Sequence, residues 1–138
     1  SFEMYPLGKD AMAKALAGFA EVDAAPLLDQ WDAALDGPIA IDPQTTFHLI
    51  QGDARETLTA WDGQADAWFL DGFSPAKNPA LWEAELMQHV ANHTATSGTL
   101  ATYTAAGFVR RALADAGFVV ERTTGYGRKR HMTRARMP

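Results

Sequence analysis

An α/β fold, with a mostly parallel sheet, helices on both of its faces and a closing antiparallel hairpin, is predicted by three observations. Strand-like and helix-like segments alternate along the chain until the last two strands follow one another directly. An apolar run stops abruptly at a carboxylate in Ala67-Trp68-Phe69-Leu70-Asp71, which delivers an acid to the rim of a sheet. Glycine and proline punctuate the joints, as in Asp36-Gly37-Pro38, Gly52, Gly117 and Gly125-Tyr126-Gly127.

Ser1-Phe2-Glu3-Met4-Tyr5-Pro6-Leu7 reads as the end of a strand entered in mid-stride, and an amino-terminal portion is expected to precede it. Helical periodicity covers about 9–19 and again about 26–35, where Leu27, Leu28, Trp31 and Leu35 share a face. Asp36-Gly37-Pro38 ends the second helix. A strand is expected over 45–51, and Gly52-Asp53 then turns the chain into a short helix over about 55–61. Residues 65–70 read as a buried strand, followed by a loop stiffened by Pro75 and Pro79. Asn78 as N-cap and Pro79 at the first position open a helix to about 93, with Trp82, Leu86 and Val90 inward and Glu83 outward. A strand over 99–104, a helix over about 105–116 closed by Gly117, and strands over 118–124 and 130–136 complete the pattern.

The 138 residues suit a single domain spanning 1–138. A hydrophobic share of 47% and a charged share of 21% are those of an ordinary soluble globular protein. No apolar run nears the roughly 18 residues needed to cross a bilayer, and no signal-peptide pattern opens the chain. The absence of cysteine excludes a disulfide framework, a thiolate metal site and a cysteine nucleophile. A cytoplasmic protein is expected. The net charge of −5 is unevenly spread, because residues 110–138 hold 8 of the 12 basic side chains and only 2 of the 17 acidic ones. Such a cluster is either a phosphate-reading patch or a solvated strand pair whose long side chains cover apolar surface.

Three acids stand at inferred strand ends: Glu3, Asp53 and Asp71. Ligands of open α/β sheets bind beyond the strand carboxyl ends. Carboxylates there accept hydrogen bonds from ribose hydroxyls or an adenine amine, or orient an amine nucleophile. Aspartate is also a natural turn and cap residue, so any one of them has a structural alternative. There is no G-x-G-x-x-G and no Walker sequence. His48, His89, His93 and His131 form no metal-ligand motif, and Ser74 lies in no nucleophile elbow. Trp82 reads as core. Phe73, in the loop after Asp71, is placed to stack on a base, and Tyr103 ends a neighbouring strand. Lys77 reads as solvated or as a phosphate contact.

The run DAWFLDGFSPAKNP at 66–79, LATYTAAGFVRRALADAGF at 100–118 and GYGRKRHM at 125–132 resembles the methyltransferase domain of the MnmC family, bacterial enzymes of tRNA 5-methylaminomethyl-2-thiouridine biosynthesis. FEMYPL at 2–7, LLDQW at 27–31 and GDARETL at 52–58 fit as well, so the resemblance spans essentially the whole chain.

The resemblance implies a Rossmann-like sheet and an S-adenosylmethionine-dependent methyltransferase. The family's reaction is methyl transfer to the exocyclic amine of 5-aminomethyl-uridine at the tRNA wobble position. Carried over residue by residue, Glu3 would bind the cofactor ribose, and Asp53 in Gly52-Asp53-Ala54 would sit by the adenine. Asp71 would orient the substrate amine and take up its proton, with no metal required. Phe73, Pro75, Asn78 and Tyr103 would line the substrate side, and Arg128, Lys129 and Arg130 would meet the tRNA backbone. The family's first strand and glycine-rich loop find no counterpart in these residues, so the domain is expected to be amino-terminally incomplete and weak or inactive alone. FAD would enter only if the parent protein carries the family's oxidoreductase domain. Two rival readings are a non-catalytic cofactor- or RNA-binding module of the same fold and an NAD-dependent oxidoreductase. The closing hairpin and the GRKR segment speak against the oxidoreductase.

Overall fold

The computed structural model describes residues 1–19 and 21–138. They gather into two compact units, Ser1–Thr57 and Leu58–Pro138.

In the first unit, β1 (Phe2–Glu3) leads through α1 (Lys9–Leu16), α2 (Ala25–Asp29) and α3 (Trp31–Asp36) to β2 (Ile39–Asp42), β3 (Thr45–Phe47) and β4 (Ile50–Gln51). The single helix expected over 26–35 is two, because Gln30 leaves helical geometry at φ −107° and its side-chain amide donates to the carbonyls of Pro26 and Ala40. The strand expected over 45–51 is also two. β3 pairs antiparallel with β2, an element that Pro43 hides in the sequence, while β4 pairs parallel with β1. Trp31 centres the unit: it is buried with Ala34, Ile39 and Leu49, and its indole donates to the Leu7 carbonyl at 2.8 Å. α4 (Ala54–Ala60) begins in this unit and ends in the second.

The second unit runs β5 (Ala65–Leu70), a 3-10 turn (Pro79–Trp82), α5 (Ala84–Asn92), β6 (Thr94–Thr102), α6 (Gly107–Asp115), β7 (Val119–Thr124) and β8 (His131–Arg136). Its sheet has the order β5-β6-β8-β7, so the last strand in sequence is inserted between β6 and β7. β5 lies parallel to β6 because a helical crossover joins them, whereas β7 and β8, joined by a short turn, are antiparallel. The α/β class and the closing hairpin are as expected, with pairing that is mixed across the described strands. α5 and α6 bury Leu86, Met87, Val90, Val109 and Leu113 with Trp82, Leu100, Phe118 and Ala135. α6 closes as expected, with Gly117 at φ +107° and the Phe118 amide donating to the Leu113 carbonyl.

Two expectations for this unit are corrected. Among the described strands β5 stands at the edge of its sheet, paired with β6, and Phe69 on it is 83% exposed, so it is not a buried strand. The helix expected from Asn78 is interrupted: Glu83 is extended at φ −67°, ψ 152°, and α5 starts only after it. Asn78 makes no side-chain cap bond. The interruption leaves Trp82 1% exposed on the 3-10 turn, where its indole serves the preceding loop.

Candidate active site

Asp71 leaves the carboxyl end of β5 and is exposed. The loop behind it folds back on itself, with the amides of Lys77 and Asn78 both donating to the Ser74 carbonyl, at 2.7 and 2.9 Å. Two aromatic donors hold its base. The Tyr103 hydroxyl donates to the Gly72 carbonyl at 2.8 Å, and the Trp82 indole donates to the Phe73 carbonyl at 2.8 Å. The two rings meet edge to face, with centroids 6.3 Å apart. Phe73 itself is 75% exposed. Pro75 and Asn78 are half-buried, and Lys77 is exposed.

Tyr103 stands just beyond β6, between the buried Thr102 and Thr104. Thr133 on β8 ties that strand end down by donating its hydroxyl to the Thr104 carbonyl at 2.7 Å. Burial, and secondarily the Asp71 carboxylate, push the Tyr103 hydroxyl above its usual pKa, which keeps it a proton donor.

The basic tail divides into parts. Arg134 and Arg136 point outward from β8, with Arg134 opposite Glu121 across the hairpin. Arg128, Lys129 and Arg130 occupy the β7–β8 turn and are exposed. That turn is tight: the Gly125 amide donates to the Arg130 carbonyl, and the Lys129 amide to that of Tyr126. Gly127 sits at φ +58°, and a side chain at Gly125 would run into the Lys129 carbonyl. Lys129 places its ammonium 5.1 Å from the centroid of the Tyr103 ring. The basic turn and the Asp71 loop therefore share Tyr103.

In the first unit, Glu3 and Gly52-Asp53 lie at the carboxyl ends of adjacent parallel strands, and the Gly52 amide donates to the Glu3 carbonyl at 3.0 Å. Gly52 holds φ +144°, with Thr57 so close that a Cβ would approach it to 2.6 Å. Asp53 caps α4, accepting the Arg55 amide at 2.9 Å on the same oxygen that the Arg55 side chain reaches at 3.0 Å. The Arg55 guanidinium, and then its amide, hold the Asp53 carboxyl down at about 2. Glu3 accepts a bond from the Ser1 hydroxyl. Ala54 opens the helix. Asp71 belongs to the other unit.

A hollow of about 330 Å³ lies between the 3-10 turn and α6, lined by Pro79, Trp82, Phe108, Arg111 and Asp115 among others. Neither Asp71 nor Tyr103 lines it, so the loop chemistry, not the concavity, marks the site. Two roles go beyond what the sequence predicts: Trp82 as a loop donor and Arg55 as the partner of Asp53. Arg55, two residues from an acid at a helix start, carries a signal in the sequence; a donor aimed at a backbone carbonyl carries none. No helix among the described residues is long and apolar enough to cross a membrane.

Residues 20–138 match the family described as S-adenosyl-L-methionine-dependent methyltransferase. The chain belongs to this methyltransferase family. Methyltransferases of this kind act with S-adenosylmethionine. The chain is 47% identical over 136 residues to the tRNA 5-methylaminomethyl-2-thiouridine biosynthesis bifunctional protein MnmC of Chromohalobacter salexigens, covering 96% of the chain and 20% of that protein. It is 46% identical to the protein of the same name from Caulobacter sp. strain K31, covering 100% of the chain and 24% of that protein. The chain thus spans a fifth to a quarter of the length of these relatives. The crystal structure of MNMC2 from Aquifex aeolicus matches with a TM-score of 0.65 at 28% identity, over 78% of the chain and 35% of that structure.

Asp53 and Glu3 present carboxylates at the carboxyl ends of a parallel strand pair, and both oxygens of Asp53 accept from the Arg55 guanidinium.

Proposed function

We propose that the chain provides the methyl-transfer centre of a tRNA-modifying enzyme acting on the exocyclic amine of 5-aminomethyl-(2-thio)uridine at the wobble position, in the cytoplasm. The observation that carries this reading is the Asp71 loop: an exposed carboxylate and an exposed aromatic ring on a backbone pinned at Gly72 and Phe73. The name of the relatives, which specifies tRNA 5-methylaminomethyl-2-thiouridine biosynthesis by a bifunctional protein, supports it.

S-adenosylmethionine, when bound, supplies the electrophilic methyl group. Glu3 and Asp53 would hold its adenosine part through their carboxylates, with Gly52 and Ala54 flanking Asp53 in the same segment. Phe73 stacks on the extruded uracil ring, and Pro75 and Asn78 border it. Asp71 accepts a hydrogen bond from the neutral amine, aims its lone pair, and takes the proton that leaves nitrogen as the new N–C bond replaces the sulfonium S–C bond of the methyl donor, the thioether S-adenosylhomocysteine being the leaving group. Arg128, Lys129 and Arg130 neutralise tRNA phosphates. FAD belongs to this scheme only where the parent protein has an oxidoreductase domain.

The reading is tested with full-length protein, methyl-labelled S-adenosylmethionine and tRNA bearing 5-aminomethyl-uridine. The expected product is labelled 5-methylaminomethyl-uridine on digestion to nucleosides. Label in another nucleoside, or none, would overturn the proposed reaction.

A further inference from the structure

We infer that Tyr103 is a positioning residue for the Asp71 loop, acting with Trp82 as a two-point clamp on consecutive carbonyls rather than as a contact of the substrate. The inference rests on the methyl-transfer reading for its kinetic consequence, but its structural part stands apart from that reading.

The geometry is specific. Gly72 and Phe73 are neighbours in sequence, and each carbonyl accepts one side-chain hydrogen bond at 2.8 Å, from Tyr103 and Trp82 respectively. The two carbonyls belong to the peptide planes on either side of Phe73, so fixing them fixes the direction in which Phe73 projects and anchors the chain one residue after Asp71, which itself follows the paired end of β5. Both donors come from rigid ground. Trp82 is 1% exposed, and Tyr103 is flanked by Thr102 and Thr104, which are 3% and 8% exposed. The residues they position are exposed. The arrangement therefore separates a buried support from an accessible working edge, as a pre-organised site requires. A hydroxyl already spent on the Gly72 carbonyl, under a ring covered on one side by the Lys129 ammonium, is poorly placed to read a base. The raised pKa of that hydroxyl agrees with a donor that stays protonated.

The test is Tyr103→Phe in the full-length protein. The ring is kept, and with it the edge-to-face packing on Trp82 and the surface under Lys129; only the donor is removed. Amide hydrogen exchange without substrates is expected to quicken over 72–78 and to stay unchanged in β6 and α6. In the methyl-transfer assay kcat is expected to fall about 10-fold, the equivalent of one hydrogen bond, while KM for tRNA and for S-adenosylmethionine moves less than about 2-fold. Unchanged exchange over 72–78 would overturn the clamp, and so would a rise in KM for tRNA at constant kcat, which marks a direct role in holding substrate. A wild-type protein without methyl transfer would sink the reaction proposed above and not the clamp, which the exchange measurement decides alone.

Discussion

Lys129 and Tyr103 are stacked, with the ammonium 5.1 Å from the ring centroid, so the basic β7–β8 turn is joined to the strand end that supports the Asp71 loop. Of the eight basic residues beyond position 109, Lys129 in this turn sets its ammonium against Tyr103, and Arg110 donates to the Ala105 carbonyl two residues further on. Arg134 lies on the hairpin opposite Glu121, and Arg111 lines the hollow beside α6. A charge cluster that looks continuous in sequence is divided by the fold.

Replacing Arg128 and Arg130 together with Gln is expected to weaken tRNA binding and to lower the slope of log K against log salt by roughly 0.7 to 0.9 for each phosphate no longer neutralised. Filter binding across a salt series checks this. The Arg134→Gln variant, changed at the residue opposite Glu121, is expected to leave the slope nearly unchanged.

Gly125→Ala forces a methyl group against the Lys129 carbonyl in the β7–β8 turn. The expected cost is on the order of 2 kcal/mol, because backbone atoms, not a flexible side chain, must move. Denaturant unfolding of the purified protein measures it. A variant as stable as the parent would show that the turn adopts another form.

Asp53 has a capping role and a charge role that can be separated. Asn caps nearly as well as Asp, so Asp53→Asn should retain the α4 start, whereas Asp53→Ala should cost about 1 kcal/mol. The folded carboxyl sits at about 2, below its ordinary 3.8. A depressed carboxyl stabilises the fold above the unfolded value and surrenders that contribution as pH falls through the folded one. Stability attributable to Asp53 is therefore expected to disappear between about pH 4 and pH 2, and Asp53→Asn should flatten the stability profile in that window. Cofactor binding, followed by calorimetry, should weaken in both variants.

How far the sequence is legible depends on the kind of signal each residue carries. β5 is legible to the residue because an apolar run ends at a carboxylate and glycine. Its exposure is not, since an edge position is a property of pairing and not of the strand itself. Asn78-Pro79 carries a sound helix-start signal, yet Trp82 and the extended Glu83 override it within a few residues. β2 is hidden because Pro43 follows it directly, although the proline sits in the turn to β3 and takes no part in their ladder. β6 starts at Thr94, earlier than expected, because Ser97 takes φ +63° and Gly98 follows it without ending the strand. At the candidate site, Asp71 and Phe73 are legible from residue type and place. The clamp is not, because a backbone carbonyl has no letter in the sequence.

The most direct test is single-turnover methyl transfer by an Asp71→Asn variant of the full-length protein, preloaded with labelled S-adenosylmethionine and mixed with tRNA bearing 5-aminomethyl-uridine. Removal of the proton acceptor at an otherwise isosteric side chain predicts a rate lower by about 10² to 10³, with cofactor and tRNA binding retained. Transfer at the parent rate would contradict the assignment of Asp71 as the group that aims the amine and accepts its proton.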